Sequence, residues 1–148
     1  MWQPNSPTSE AAPELETVVA ARQRSASTKI KNPGRRFASI VKVRPECVKE
    51  YKAAHADVWP EVLQQIKDCG IEDYSIFYDE GTSILFSSFK YVRYDYAADM
   101  ERMRANPKVR EWWKMTDSWQ ETMVEGATSS ESGEPSWWKP VEEVFYVA

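Results

Sequence analysis

The order in which strand-like and helix-like patterns follow one another limits the folds open to this chain. From residue 37 onward the order is strand, helix, strand, strand, helix, strand. Apolar runs predict the four strands at residues 37–43, 71–78, 83–92 and 141–147. Asp79, Glu80 and Gly81 supply a hairpin turn between the middle two strands. This order predicts the α+β class, and within that class a ferredoxin-like βαββαβ sandwich.

Proline, glycine and asparagine mark the ends of the predicted helices. The first helical region opens at Pro45 and ends at Gly70, a residue typical of helix C-caps. Pro60 lies inside this region and removes a backbone donor, so we expect a kink or two abutting helices there. The second helical region runs from Tyr94 to Arg104 and is followed by Asn106 and Pro107, the pattern of an N-cap before proline at the first helical position. A new helix is therefore predicted to begin at that proline.

The predicted sheet is apolar on both of its faces. Ile84 and Phe86 point to one side, whereas Leu85, Phe89 and Tyr91 point to the other. Because two helices cover only one face of a four-stranded sheet, the second face needs another cover. We expect a symmetric homodimer that stacks sheet on sheet, in which the C-terminal strand can also cross to the partner.

Residues 1–36 differ in composition from the rest of the chain. They are rich in Pro, Ser and Thr and poor in large apolar residues, which predicts a disordered N-terminal arm before a single domain at residues 37–148. Six Lys or Arg residues against three Glu give the arm a net charge of +3, which leaves −7 for the domain in a total of −4. An acidic domain argues against a nucleic-acid partner.

The sequence carries no feature that indicates a membrane or a secretory pathway. No stretch is long and apolar enough to span a bilayer, and the arm lacks the apolar segment of a secretory signal. Cys47 and Cys69 fit a reducing compartment or simple buried thiols. We therefore expect a cytoplasmic protein without a membrane partner.

His55 is the only histidine, and it lies on an apolar helical stripe one turn after Tyr51. The stripe has steps of three or four residues and consists of Val48, Tyr51, His55, Val58, Val62 and Ile66. An imidazole titrates near neutral pH, so it can both give and take a proton in one catalytic cycle. The stripe alone favours a buried, hydrogen-bonded structural histidine, so a catalytic role needs support from other residues.

The other side chains argue against a metal and for an organic ligand. A single histidine without metal-binding neighbours does not form a first-row metal site, and Cys47 and Cys69 are too far apart for a Cys-x-x-Cys motif. Aromatic residues make up 13% of the chain, and Trp112 and Trp113 are consecutive. On a helix these two point about 100° apart, so the pair can line a cleft. Indole faces with an N–H donor suit a sugar, although at least one of the two also fits a core anchor.

Five segments follow one another across nearly all of residues 37–148: Glu50-Tyr51 with His55, Trp59-Pro60-Glu61, residues 74–79, Trp112-Trp113-Lys114 and residues 142–146. In this order they resemble the L-rhamnose mutarotases, which interconvert the α and β anomers of L-rhamnose. The resemblance implies a dimeric ferredoxin-like α+β barrel that works without a metal or cofactor. It also implies that His55 is the proton donor and that the sugar is contacted by Tyr51, Tyr74, Trp112 and Trp113.

The chemistry of mutarotation fits these residues. Ring opening needs a proton on the ring oxygen and removal of one from the anomeric hydroxyl, after which the free aldehyde rotates and closes again. His55 is the natural acid, and Tyr51 can position it or the sugar. The base is left open among water, Asp57, Glu61 and Asp73. An indole can cover the methyl group of a 6-deoxy sugar, which fits L-rhamnose and other deoxyhexoses alike.

Two other kinds of protein share parts of this pattern. Dimeric α+β barrels also include cofactor-independent monooxygenases and haem-handling proteins, in which a helix histidine such as His55 can be an axial ligand. A Soret band in the purified protein would identify the haem alternative. A non-catalytic sugar-binding module would bind the sugar without exchanging its anomers.

Overall fold

The structure is a computed structural model that describes residues 34–148. In this part of the chain two pairs of helices separate the strands. The strands are β1 (Arg35–Val43), β2 (Ile71–Asp79), β3 (Ile84–Tyr91), β4 (Gln120–Glu121) and β5 (Lys139–Pro140). The helices are α1 (Val48–Ala56), α2 (Pro60–Asp68), α3 (Tyr96–Ala105) and α4 (Pro107–Ser118), with a 3-10 turn at Pro45–Cys47 before α1. The predicted arm, residues 1–36, lies outside the described residues except for its last three. One of these, Arg35, pairs with Tyr91, so β1 begins two residues earlier than predicted.

One antiparallel sheet contains all five strands, in the order β2-β3-β1-β4, with β5 also paired to β1. β1 and β3 pair along almost their full lengths. β2 pairs with β3 except at an irregularity around Asp73, whose φ is 50°. A bulge of this kind bends the strand and changes the direction of its side chains. The α+β class predicted from the sequence is confirmed.

The core lies between the helices and one face of the sheet. Val41 and Leu85 face each other across β1 and β3 and are almost fully buried, together with Tyr51 of α1. The opposite face carries Phe77 and Phe86, and Phe77 is 60% exposed. In the single chain one apolar face of the sheet is therefore left uncovered, as the alternation of apolar residues predicts.

The helix boundaries follow the sequence signals. α1 ends at Ala56 and α2 begins at Pro60, so the proline separates two abutting helices. Asn106 caps α4, where its side-chain oxygen accepts a hydrogen bond from the backbone N–H of Lys108. Gly70 follows α2 with a φ of 71°, the conformation typical of a glycine C-cap. These helices have nine to twelve residues each, and none in residues 34–148 is long and apolar enough to cross a membrane.

The prediction of a last strand at residues 141–147 is wrong. Only the two residues of β5 pair with β1, and the chain after Pro140 has no regular secondary structure. One further backbone hydrogen bond, from Val141 to Ala38, continues the contact. An apolar pattern forms a strand only where a neighbouring backbone is available, and this chain offers none to the rest of the segment. The apolar side chains of this segment are exposed at Val144, Phe145 and Val147.

Candidate active site

Helix α1 carries Tyr51 and His55 on the same face, one turn apart. The phenol and imidazole rings stack, with centroids 4.1 Å apart and planes inclined by 25°. Tyr51 is almost fully buried, whereas His55 is half-buried. The buried phenol therefore supports one face of an imidazole that is still partly accessible.

One ring nitrogen of His55 is engaged within its own helix. His55 Nδ1 lies 2.8 Å from the backbone carbonyl oxygen of Tyr51. Because a carbonyl can only accept, Nδ1 carries the hydrogen, and in the neutral ring Nε2 has the free lone pair. Burial lowers the pKa of His55, and the hydrogen bond to the Tyr51 backbone partly opposes this. At neutral pH the ring is therefore mainly uncharged, and Nε2 can take up a proton.

Two tryptophans from different helical segments meet beside His55. The indole of Trp112, on α4, contacts the imidazole edge-on, with centroids 5.2 Å apart. Trp112 also meets the ring of Trp59, the residue before α2, at 5.3 Å. Trp112 is 7% exposed, so it is both a core residue and a neighbour of the imidazole. Trp59, from the break between α1 and α2, and Trp112, from the buried side of α4, therefore form one aromatic cluster beside His55.

The hydroxyl of Tyr51 belongs to a chain of three polar side chains. The amide nitrogen of Gln120 lies 3.4 Å from this hydroxyl. The amide oxygen of Gln120 accepts a hydrogen bond of 3.0 Å from the indole N–H of Trp137. Burial raises the pKa of Tyr51, and the phenol of Tyr74 adds to this while the bond from Gln120 opposes it. The Tyr51 hydroxyl therefore keeps its proton throughout the physiological range.

Tyr74 and Trp113, also predicted to contact a sugar, differ from the residues around the imidazole. Tyr74 lies on β2, is 45% exposed and packs edge-on against Phe89 at 5.5 Å. Trp113 is half-buried against the apolar core beneath α4. Five residues were predicted to form the site, and three of them, Tyr51, His55 and Trp112, are joined by direct ring contacts.

The three carboxylates that the sequence offers as the base lie in different surroundings. Asp73 accepts a hydrogen bond of 2.7 Å from Arg36, and this bond and the charge of Arg36 lower its pKa. Glu61 lines a groove of about 340 Å³ beside Lys108. Asp57 is exposed where α1 ends. Within residues 34–148, no group of three or more His, Cys, Asp or Glu side chains is arranged to hold a metal ion.

Sequence patterns do not single out Gln120 or Trp137, although both are linked to Tyr51. Gln120 belongs to a strand of two residues, which is too short to show a period of two. The only signal at Trp137 is the adjacent Trp138, and this pair indicates aromatic content without indicating a partner. The bond between Trp137 and Gln120 spans 17 positions, which a local pattern does not report.

Comparisons with known proteins agree on one family. Residues 36–147 match the family described as L-rhamnose mutarotase. The L-rhamnose mutarotase of Phocaeicola vulgatus is 41% identical over 48% of this chain and 65% of its own length. The L-rhamnose mutarotase of Flavobacterium johnsoniae is 32% identical over 76% of this chain and 94% of its own length.

A solved structure agrees with these matches. The crystal structure of an L-rhamnose mutarotase from Formosa agariphila is similar with a TM-score of 0.58 and 32% identity, over 77% of this chain and 99% of that one. Fold and relatives together define a protein of the α+β class whose relatives are named L-rhamnose mutarotases, and the chain spans slightly less than two thirds of the length of one of them. The chain belongs to the L-rhamnose mutarotase family.

Proposed function

We propose that this chain is a mutarotase that interconverts the α and β anomers of L-rhamnose, with His55 as the residue that moves the proton. The observation that carries the proposal is the bond of 2.8 Å between His55 Nδ1 and the Tyr51 carbonyl. It commits one nitrogen to the helix and leaves Nε2 to exchange protons beside the aromatic cluster. Membership of the family supports L-rhamnose as the substrate.

His55 can carry out both proton transfers of ring opening. The anomeric hydroxyl oxygen and the ring oxygen are bonded to the same carbon, so one nitrogen can reach each in turn. Nε2 takes the proton of the anomeric hydroxyl, the bond from C1 to the ring oxygen breaks as the carbonyl forms, and the ring oxygen receives that proton. Rotation about the C1–C2 bond presents the other face of the aldehyde, and the reverse steps close the ring. The lowered pKa of His55 supports this order, in which it acts first as the base and then as the acid.

The aromatic side chains around His55 suit a deoxy sugar. In this proposal the reacting carbon lies beside Nε2 of His55, next to the edge contact between the imidazole and Trp112, where aromatic surface can cover the C–H face of the sugar. Membership of the family supports a sugar contact for Tyr74, which is 45% exposed on β2. Trp113 has less support, because it packs against the core.

We also propose that two copies of the chain form a dimeric α+β barrel of ferredoxin-like subunits. The strand order β2-β3-β1-β4, with helices after β1 and after β3, supports the ferredoxin-like topology. The exposed Phe77 and Phe86 on the uncovered sheet face, and the apolar C-terminal segment with Phe145, support a homodimer. Burying such surface contributes about 25 cal/mol per Å² of apolar area, which favours association through this face.

Charge and cysteine content support the remaining features of the proposal. The net charge of −7 on residues 37–148 argues against a nucleic acid or an anionic membrane surface as the partner. Cys47 and Cys69 are both free thiols, which supports a cytoplasmic location.

Saturation transfer between the two anomeric proton signals in one-dimensional NMR tests the proposed activity. We expect the protein to accelerate exchange between the anomers of L-rhamnose, and L-fucose, D-galactose and D-ribose measure its selectivity. Exchange with none of the four sugars would contradict the proposal. Binding of L-rhamnose without faster exchange would identify a sugar-binding module, and a Soret band would identify a haem protein.

A further inference from the structure

Gln120 has a buried amide whose orientation is fixed by chemistry. Its side chain is 2% exposed and lies between Trp137 and Tyr51. An indole N–H can only donate, so the atom 3.0 Å from Trp137 Nε1 must be the amide oxygen. The amide nitrogen then faces the Tyr51 hydroxyl 3.4 Å away and donates to it. The indole thus removes the usual ambiguity between the oxygen and nitrogen of a glutamine amide.

The direction of this chain decides how the Tyr51 hydroxyl can bond. A phenol has one hydrogen to donate and an oxygen that accepts. Because Gln120 supplies a donor, the Tyr51 oxygen accepts on that side and its own hydrogen is left for another partner. The Tyr51 ring stacks on His55, so this hydrogen belongs to a residue in contact with the proton-exchanging imidazole.

We propose that Gln120 is a positioning residue that makes Tyr51 an obligatory hydrogen-bond donor to the sugar. The inference rests on the proposed mutarotase function and deepens it. Trp137 orients the amide, the amide orients the phenol, and the phenol donates to a sugar oxygen. A donor fixed in this way holds one sugar oxygen in place beside the imidazole of His55.

Two substitutions of Gln120 separate orientation from simple packing. Gln120→Glu keeps the shape but introduces a carboxylate that accepts from both Trp137 and Tyr51, which turns the Tyr51 hydrogen away from the sugar. Gln120→Met removes both bonds without capturing that hydrogen. We expect Gln120→Glu to lower kcat/KM for L-rhamnose by about 10-fold, the value of one lost hydrogen bond, and Gln120→Met to lower it less. A purely structural role can give the same order, because burying a carboxylate also costs free energy, so the comparison is decided in the Tyr51→Phe background.

Two further readouts respond to orientation and not to packing. When the introduced carboxyl is protonated it can again donate to Tyr51, so the activity of Gln120→Glu relative to the unaltered protein should recover as the pH falls. In a Tyr51→Phe background the Gln120→Glu change should cost no further activity, because the hydroxyl it acts on is absent. Additive losses and no recovery at low pH would overturn the positioning role.

Gln65→Glu is the matched control for this experiment. Gln65 is part-buried, less deeply than Gln120; its amide oxygen accepts a hydrogen bond from Asn106 at 3.0 Å, and its nitrogen lies 3.1 Å from Cys69 Sγ. Gln65→Glu therefore makes the same amide-to-carboxylate change in a side chain whose oxygen also accepts a hydrogen bond from an N–H group. We expect kcat/KM to stay within about two-fold, since no catalytic hydrogen bond is lost. Urea unfolding of both variants reports their stability separately.

The test remains decisive if Gln120→Glu does not fold. Trp137→Phe removes the indole N–H that orients the amide, and we expect it to lower kcat/KM severalfold in the unaltered background but not in the Tyr51→Phe background. An unchanged kcat/KM for Trp137→Phe, or equal losses in both backgrounds, would overturn the positioning role and leave the mutarotase function standing. Absence of anomer exchange by the unaltered protein would instead contradict the proposed function.

Discussion

At the scale of single residues, the contacts of His55 decide which proton transfers it can make. Nδ1 is bonded to the Tyr51 carbonyl, so protons can be exchanged only through Nε2. Burial lowers the pKa of the imidazole, which favours the neutral form that can act as a base. Stacking on Tyr51 and the edge contact with Trp112 fix the plane of the ring. The geometry therefore supports one nitrogen as the centre of the reaction.

Replacing His55 by asparagine should lower the rate of anomer exchange by about 10² to 10⁴, the range that general acid–base catalysis supplies. Asparagine is smaller and still polar, so we expect the fold to remain. NMR exchange rates and urea unfolding curves on the same samples check this. Activity within a few-fold of the unaltered protein would mean that His55 is structural, and loss of folding would mean that the imidazole is needed in the core.

The pH dependence of activity should follow the loss of the proton on His55. Because burial lowers its pKa, kcat/KM should rise with pH to a midpoint below about 6.5, the ordinary value, and then stay level. Below the midpoint Nε2 is protonated and cannot accept the anomeric proton. Kinetic profiles of the unaltered protein and of His55→Asn check this, because the transition should vanish in the variant. If activity instead falls as the pH rises through the midpoint, the protonated imidazole of His55 would be the form that acts in the slow step.

Trp112 should contribute to stability and to activity at once. It is 7% exposed and meets the imidazole, so Trp112→Ala should cost about 3–5 kcal/mol of unfolding free energy and also slow anomer exchange. Trp113→Ala is the adjacent comparison and should cost less, because Trp113 is half-buried. Urea unfolding together with exchange kinetics measures both effects. A larger stability loss for Trp113→Ala would contradict the burial of the two indoles.

The relation between Tyr51 and His55 could be predicted from the sequence, whereas that of Tyr51 to Gln120 could not. Residues four apart on one helix share a face, so the spacing alone predicts the contact. The bond between Gln120 and Tyr51 joins positions 69 apart and depends on how β4 meets α1 in the folded chain. Periodicity reports contacts within an element, and contacts between elements require the three-dimensional arrangement.

At the scale of elements, local signals predicted the helix ends better than the strands. Pro60, Gly70 and Asn106 act through their own backbone conformation or hydrogen bonds, so their effect is present in the sequence. The strand expected at residues 141–147 needs a partner backbone. In the described chain only β5, just before this segment, pairs with β1. The two-residue β4 was missed because it is held by pairing with β1 and has no pattern of its own.

The turn between α2 and β2 should depend on the glycine at position 70. Its φ is +71°, and an added Cβ would lie 2.4 Å from Cγ of Arg93. Gly70→Ala should therefore cost about 1–3 kcal/mol of unfolding free energy. Gly81→Ala is the control, because its nearest neighbour would be a carboxylate oxygen of Asp79 at 3.7 Å and its φ is not in the left-handed region. Thermal or urea unfolding measures both, and equal stability of the two variants would contradict the prediction.

At the scale of the whole molecule, the uncovered sheet face should govern association. Phe77→Asp places a charge in the apolar surface around Phe86, so it should weaken a homodimer by about 10-fold or more. Leu63→Asp adds the same charge at an exposed position on α2 and should leave association unchanged. Sedimentation equilibrium over a range of concentrations measures both. A monomeric unaltered protein, or equal weakening by both variants, would contradict association through this face.

The bond between the His55 ring and the Tyr51 carbonyl joins two residues of a single helical turn. The acceptor is a backbone carbonyl four residues before His55, so it is present in the helix whatever side chain stands at position 51. The tautomer therefore needs no help from distant parts of the sequence. A substitution of a neighbouring ring that leaves helix α1 intact is therefore expected to keep Nδ1 bonded and Nε2 available for proton exchange.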